Sequence, residues 1–188
     1  MSKVIISLFD HSGAWSDPYK NAGYEVTRID LKEGRDVMLL QPNDFNNIHG
    51  LLAAPPCTHF SGSGARWWPQ KDKDGRTVEA IRLVEHALLL IQTWNPVFWA
   101  LENPVGRLAK LVPSLGNWKM TFNPCDFGDP YTKRTCLWGN FNIPRKTWVP
   151  PTEGSKMHLR YGGKSERTKE MRSVTPKGFA RAFFEANP

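Results

Sequence analysis

Cys57 is the residue best placed to do covalent chemistry. It follows Pro55 and Pro56 at the end of the apolar run 48–54 (IHGLLAA) and precedes a polar, glycine-rich stretch. Two prolines restrict the backbone there, so the thiol is presented at a turn; the usual fate of a free cysteine is to pack as a small core hydrophobe. Such a cysteine suits nucleophilic attack, and its reactivity depends on a lowered thiol pKa. Cys125 and Cys136 read as core residues. No Ser-His-Asp order is present, and Cys57, His59 and Cys125 lack metal-ligand spacing, so no metal is expected. Glu102, in Glu102-Asn103-Pro104, follows the very apolar VFWAL. A carboxyl group in that position has a raised pKa and suits a proton donor near neutral pH. In Phe9-Asp10-His11-Ser12-Gly13, a glycine in a strand-to-helix turn opens backbone N–H groups to a ligand. Asp30 closes a strand-like run and suits hydrogen bonds to ribose hydroxyls. Each residue also has an ordinary alternative: a tight-turn glycine, a capping aspartate, a surface glutamate.

The elements that must position these groups are legible in outline. Residues 3–8, 24–30, 48–54 and 97–101 read as strands. A helix-compatible stretch reaches Asn21, with Gly23 as its cap. Residues 77–94 are the clearest helix, with Ile81, Val84, Leu88 and Ile91 at helical spacing and Thr77 as its cap. Residues 61–76 carry the Gly, Ser, Pro and charge of a loop. Residues 118–123 and 135–139 form a hairpin pair, 141–170 are irregular, and 176–186 close as a helix. Strands alternating with helices predict an α/β, doubly wound, mostly parallel sheet. Ligands of such sheets bind beyond the carboxyl ends of the strands, where the three chemistry-bearing segments fall.

The chain has 188 residues, 40% hydrophobic and 23% charged, which suits one domain. No apolar run is long enough to span a bilayer, and the first residues turn polar too soon for a signal peptide. Three scattered cysteines make no disulfide framework, so a reducing, cytoplasmic setting is expected. The net charge is +7. Residues 141–188 hold 10 Lys/Arg against 4 Asp/Glu, so nearly all of the excess lies there. Such a block is either a solvated face or a phosphate-binding surface. Eight tryptophans add weight to nucleic acid, since aromatic faces stack on unpaired bases.

Taken together, these segments resemble the DNA cytosine C5-methyltransferase family. SLFDHSGAW is similar to its cofactor motif and PPCTHFSGSG to its nucleophile motif; LENP is similar to ENV. CDFGDPYTKRTCLWG resembles the YGxPQxRxR segment, and RSVTPKGFAR the segment RxLTxxExAR. Asp30 stands at the position for the cofactor ribose and Asp36, in GRDVMLL, at that for the adenine. The resemblance implies a Rossmann-like fold that binds S-adenosylmethionine through Phe9, Asp10, Ser12, Gly13, Asp30, Asp36 and Pro56. It implies DNA as partner, with cytosine flipped from a duplex or taken from a single strand. Cys57 would add to C6 while Glu102 protonates N3, with Lys133 or Arg134 beside the base. Ser61, Arg66, Trp67 and Trp68 would line the substrate side; the tryptophans either stack on bases or pack the loop.

Departures from the family's pattern set further expectations. His11 stands where the family has glycine, and the connection between Asp30 and Asp36 is trimmed. An ungapped reading puts Lys133 and Thr135 at the two arginine positions. Residues 140–171 are a short, basic, Pro-rich insert where the family carries a target-recognition domain, and the family's final Gly-Asn motif is absent after Phe184. The chain thus resembles a compact, phage-like member, a single catalytic domain over residues 1–188. It is expected to be monomeric and cytoplasmic, within a host cell if phage-encoded. Sequence specificity is expected to be weak or short, with affinity from Arg145, Lys146, Lys156, Arg160, Lys164, Arg167 and Lys169 on phosphates. Two alternatives stay open: the same chemistry on RNA or a free cytosine nucleotide, and a catalytically inert nucleic-acid-binding homologue.

Overall fold

A computed structural model describes residues 2–155 and 165–188; the side chains of Glu166, Arg167 and Lys169 also lie outside the description. Six strands form one sheet: β1 (Val4–Leu8), β2 (Glu25–Ile29), β3 (Ile48–Ala53), β4 (Phe98–Pro104), β5 (Met120–Phe122) and β6 (Thr135–Asn140). Their order is β2-β1-β3-β4-β6-β5. The first four run parallel, β6 is antiparallel to β4, and β5 is antiparallel to β6. The helices are α1 (Asp17–Asn21), α2 (Trp68–Lys73), α3 (Arg76–Trp94), α4 (Leu108–Leu111), α5 (Glu166–Ser173) and α6 (Lys177–Ala186).

The central strands are apolar on both faces because helices cover both. Successive side chains point to opposite sides, so Ile5, Leu52 and Ala100 enter one cluster while Ile6, Leu51 and Leu101 enter the other. The second of these packs on α3 through Ala80, Val84, Ala87, Leu90 and Ile91. The first is aromatic, with Trp15 and Tyr19 from α1 and the residues before it, and Phe179 and Phe183 from α6. This is a doubly wound α/β sheet of Rossmann-like type.

Several local expectations need correction. Residues 61–76 are not a loop: Gly62–Trp67 winds as a 3-10 helix and leads into α2, with Pro69 in the first helical turn, where its missing N–H is harmless. Thr77 does not cap α3. The cap is Gly75 at φ +83°, and Thr77 is the second helical residue, buried, its hydroxyl donating to Asp72 at 2.6 Å. The Glu102-Asn103-Pro104 segment does not follow β4 but lies within it, because β6 extends the pairing past the end of β3. Within 141–170, residues 166–170 are helical in α5. Between Asp30 and Asp36 there is one 3-10 turn, Leu31–Glu33.

Phe179 ties α6 to the sheet. Its ring stacks on Phe122 at 4.1 Å between centroids and meets Trp15, Phe127 and Phe183 within 6 Å. Phe179→Ala should destabilise the fold by about 3–5 kcal/mol and lower the thermal midpoint by about 10 °C. Thermal unfolding followed by circular dichroism checks this.

Candidate active site

Leu8, Ala53 and Leu101 are level with one another in neighbouring parallel strands. The three segments that follow them therefore emerge side by side at the carboxyl edge of the sheet. Pro55 is buried, and its carbonyl accepts a 2.9 Å hydrogen bond from Asn103 Nδ2 on β4. Cys57 then opens a short 3-10 turn, Cys57–His59, in which Phe60 and Ser61 N–H groups both donate to the Cys57 carbonyl. Phe60 is fully buried and anchors the turn.

The polypeptide after Cys57 returns to the end of β4. Ser61 and Gly106 form an antiparallel bridge; Gly62 N–H donates to Val105 O at 3.0 Å and Arg107 N–H to Phe60 O at 2.9 Å. This approach requires glycine at 106, since a Cβ there would lie 1.9 Å from the Phe60 carbonyl oxygen. Arg107 extends the contact. Its guanidinium donates to both Asp72 carboxylate oxygens at 2.7 Å, to the His59 carbonyl and to the Thr77 hydroxyl, and it lies 4.6 Å over the Trp68 ring. Arg107 and Thr77 hold the Asp72 carboxyl down at about 2, so this pair persists throughout ordinary pH.

Glu102 is 8% exposed, and its carboxyl pKa is raised, chiefly by burial, with Lys133 opposing. Cys57 is half-buried. Burial pushes its thiol up, Lys133 pulls it down, Glu102 pushes it up and Lys71 pulls it down. The net direction corrects the expected lowered thiol pKa: loss of solvation outweighs the two lysines. Lys133 thus faces both groups, placed there by β6 through Val105 N–H bonded to the Arg134 carbonyl. Arg134 is exposed and faces Cys136. The structure therefore brings Cys57, Glu102 and Lys133 together and leaves Arg134 outside. Among the described residues no cluster of His, Cys, Asp or Glu could hold a metal ion.

Beside this group lies the first turn. Phe9 takes φ +60° and Gly13 φ +69°, which only glycine adopts freely. Asp10 is turned inward: its Oδ2 accepts from both the Ser7 and Ser16 hydroxyls at 2.8 and 2.7 Å, which shapes the turn. Arg28 packs against Gly13, where a Cβ would meet its guanidinium at 2.0 Å. Ser12 is exposed, as is Pro56. Asp30 and Asp36 each cap a 3-10 turn through one carboxylate oxygen, accepting from Lys32 and Met38 N–H. Neither second oxygen has a hydrogen-bond partner among the described residues.

On the outer side, Ser61 is buried and hydrogen-bonded to Ser63, Trp68 packs under Arg107, and Trp67 reaches the surface with Arg66 over its ring. The basic segment runs along the turn that leads to Lys133. Thr147 and Val149 N–H donate to Asp126 and Cys125 carbonyls, and Thr132 N–H donates to Gly154 O. Arg145 is exposed, and Lys146 pairs with Asp126 at 3.2 Å. Lys156, Arg160 and Lys164 lie outside the described residues, as do the side chains of Arg167 and Lys169. Sequence reasoning missed Lys71, Asp72 and Arg107. Only the position of Arg107, five residues past Glu102, offered a signal.

Fold and site define a Rossmann-like, doubly wound α/β protein with a thiol and a buried carboxyl at adjoining strand ends. No family model matches the chain. It is 26% identical over 168 residues to the type II methyltransferase M.DdeI of Desulfomicrobium norvegicum, an alignment covering 69% of this chain and 38% of that protein. In fold it is similar to a proposed DNA modification methyltransferase encoded within an E. coli prophage, with a TM-score of 0.53 at 20% identity, covering 79% of this chain and 52% of the other. The chain thus spans about two-fifths to one-half of the relatives it matches. No helix among the described residues is long and apolar enough to cross a membrane.

The raised Glu102 pKa has a consequence for stability. A carboxyl whose pKa is higher in the folded state contributes stability below its unfolded value, and that contribution is lost as pH rises through the folded one. Glu102→Gln, which cannot ionise, should match the parent protein at pH 4 and melt about 3 °C higher at pH 8. Melting curves across that range test this; equal midpoints at both pH values would mean that the carboxyl is not desolvated.

Proposed function

We propose that the chain is an S-adenosylmethionine-dependent methyltransferase acting at C5 of cytosine in DNA. The observation that carries this reading is the meeting of Cys57, Glu102 and Lys133 at adjoining strand ends. A thiol and a protonated carboxyl side by side match an addition in which the base is attacked at one atom and protonated at another.

The first turn fits an adenosine-bearing cofactor. Phe9 offers a ring, and Asp30 and Asp36 each an unengaged carboxylate oxygen for ribose hydroxyls or an amino group. When bound there, S-adenosylmethionine supplies an electrophilic methyl group. The residues of this chain do the rest. Cys57 gives its proton to solvent water and its sulfur forms a bond to C6 of the flipped cytosine. Glu102 donates its proton to N3, so the electron pair displaced from the C5–C6 bond is held as an enamine, nucleophilic at C5. Lys133 offsets the negative charge that passes between thiolate and carboxylate. After C5 carries its methyl group, solvent water takes the C5 proton, the electron pair left behind re-forms the C5–C6 double bond as the sulfur–C6 bond breaks and thiolate departs, and N3 returns its proton to Glu102.

Affinity for the polymer comes from the basic segment. Residues 140–171 supply phosphate contacts, Arg145 among them, in place of an element that reads base edges. Specificity is accordingly short. The test is transfer of labelled methyl from S-adenosylmethionine to duplex DNA, single-stranded DNA, RNA and dCMP, beside Cys57→Ala. Labelled 5-methylcytosine in DNA, reduced at least about 1000-fold in Cys57→Ala, is the expected result. Label in RNA or dCMP alone would move the same chemistry to another substrate. No label in any of them would overturn the reading.

A further inference from the structure

Lys71 is a buried cation that the chemistry described above does not use. It belongs to α2, yet it is only 8% exposed, whereas a lysine on a short surface helix ordinarily keeps its ammonium in water. Its Nζ donates to the Thr58 carbonyl at 2.5 Å, within the turn that begins at Cys57. An ammonium has three donors. Thr58 O is the one acceptor it meets among the described residues, so two N–H groups remain beneath the nucleophile's own turn. The position of α2 is fixed independently. Trp68 and Asp72, on either side of Lys71 in this helix, are both held by Arg107.

The surroundings disfavour a purely packing role. Arg76 and Arg107 also face Lys71 and repel its charge, and burial acts in the same sense; only Asp74 and the Cys57 thiolate favour it. Asp74 is engaged by Arg76, and Asp72 by Arg107. The group left for Lys71 is Cys57, once its thiol ionises. The groups facing Cys57 are Lys133, Glu102 and Lys71. His59, in the same turn, is kept neutral by burial and by Lys71, Arg76 and Arg107.

We infer that Lys71 is a positioning residue for Cys57: bonded to the Thr58 carbonyl, it holds the turn and supplies, with Lys133, the positive charge against which the thiolate forms. This rests on Cys57 being the nucleophile. It assigns the segment after Cys57 a part in generating the nucleophile besides walling its pocket.

The test is the rate of Cys57 alkylation by iodoacetamide as a function of pH, read by mass spectrometry of the Cys57 peptide in the full-length chain. Lys71→Gln keeps an N–H donor for Thr58 and removes only the charge. It should alkylate about fivefold more slowly at pH 7.5, with its pH midpoint moved upward, while Lys71→Arg restores the parent profile. Lys71→Met, which removes donor and charge, should show at least the same upward move. An unchanged profile in Lys71→Gln, or failure of Lys71→Arg to restore it, would overturn the inference. Methyl transfer by the same proteins separates the two claims. Lost transfer in Lys71→Gln with an unchanged alkylation profile overturns the role of Lys71 alone. Absent transfer in the parent protein, with a profile that still shifts, overturns the methyltransferase reading and leaves the Lys71–Cys57 coupling standing.

Discussion

The close backbone pairing of Phe60–Gly62 with Val105–Arg107 is the constraint on which the site depends. Parallel strands β3 and β4 bring Cys57 and Glu102 to the same edge, but strands alone leave the chain beyond Ala53 free to take any course. Two backbone hydrogen bonds, a fully buried Phe60 and a glycine at 106 remove that freedom. The residues on either side of this contact are the nucleophile's turn, α2 and Arg107. The Arg107 guanidinium, planar and five-donor, joins the Cys57–His59 turn, α2 and α3 at once, which a lysine could not do.

Electrostatics in the site run against simple intuition. Burial raises both the thiol and the carboxyl. That suits Glu102 in the proposed role of proton donor. It runs against Cys57 in the proposed role of nucleophile, which requires the loss of a proton. Neutral Glu102 does not repel a neighbouring thiolate, whereas ionised Glu102 would; the protonated acid and the ionised nucleophile are therefore compatible states. Two lysines distant in sequence, Lys133 on the approach to β6 and Lys71 in α2, act in the opposite sense and favour the thiolate.

Much of this was legible in the sequence. Short apolar runs located β1, β3 and β4, with Pro55-Pro56 marking the end of β3, and motif order located Cys57 and Glu102. The reading failed where long-range contacts override local signals. Gly, Ser and charge in residues 61–76 describe a loop, but Arg107, some thirty residues away, organises them into helix. Thr77 has the identity of a cap and serves a buried hydrogen bond. Pairing with β6 draws Glu102 into a strand that the apolar run alone ends at Leu101.

The central claim is that Cys57 forms a covalent bond to the base while Glu102 protonates it. The most direct measurement uses DNA carrying 5-fluorocytosine, whose C5 fluorine cannot leave as the proton does, so the sulfur–C6 bond is retained after methylation. Incubated with S-adenosylmethionine, the chain should yield a denaturation-stable protein–DNA adduct that peptide mapping places on Cys57. An enzyme active on ordinary cytosine that forms no such adduct, or forms it on Cys125 or Cys136, would contradict the account.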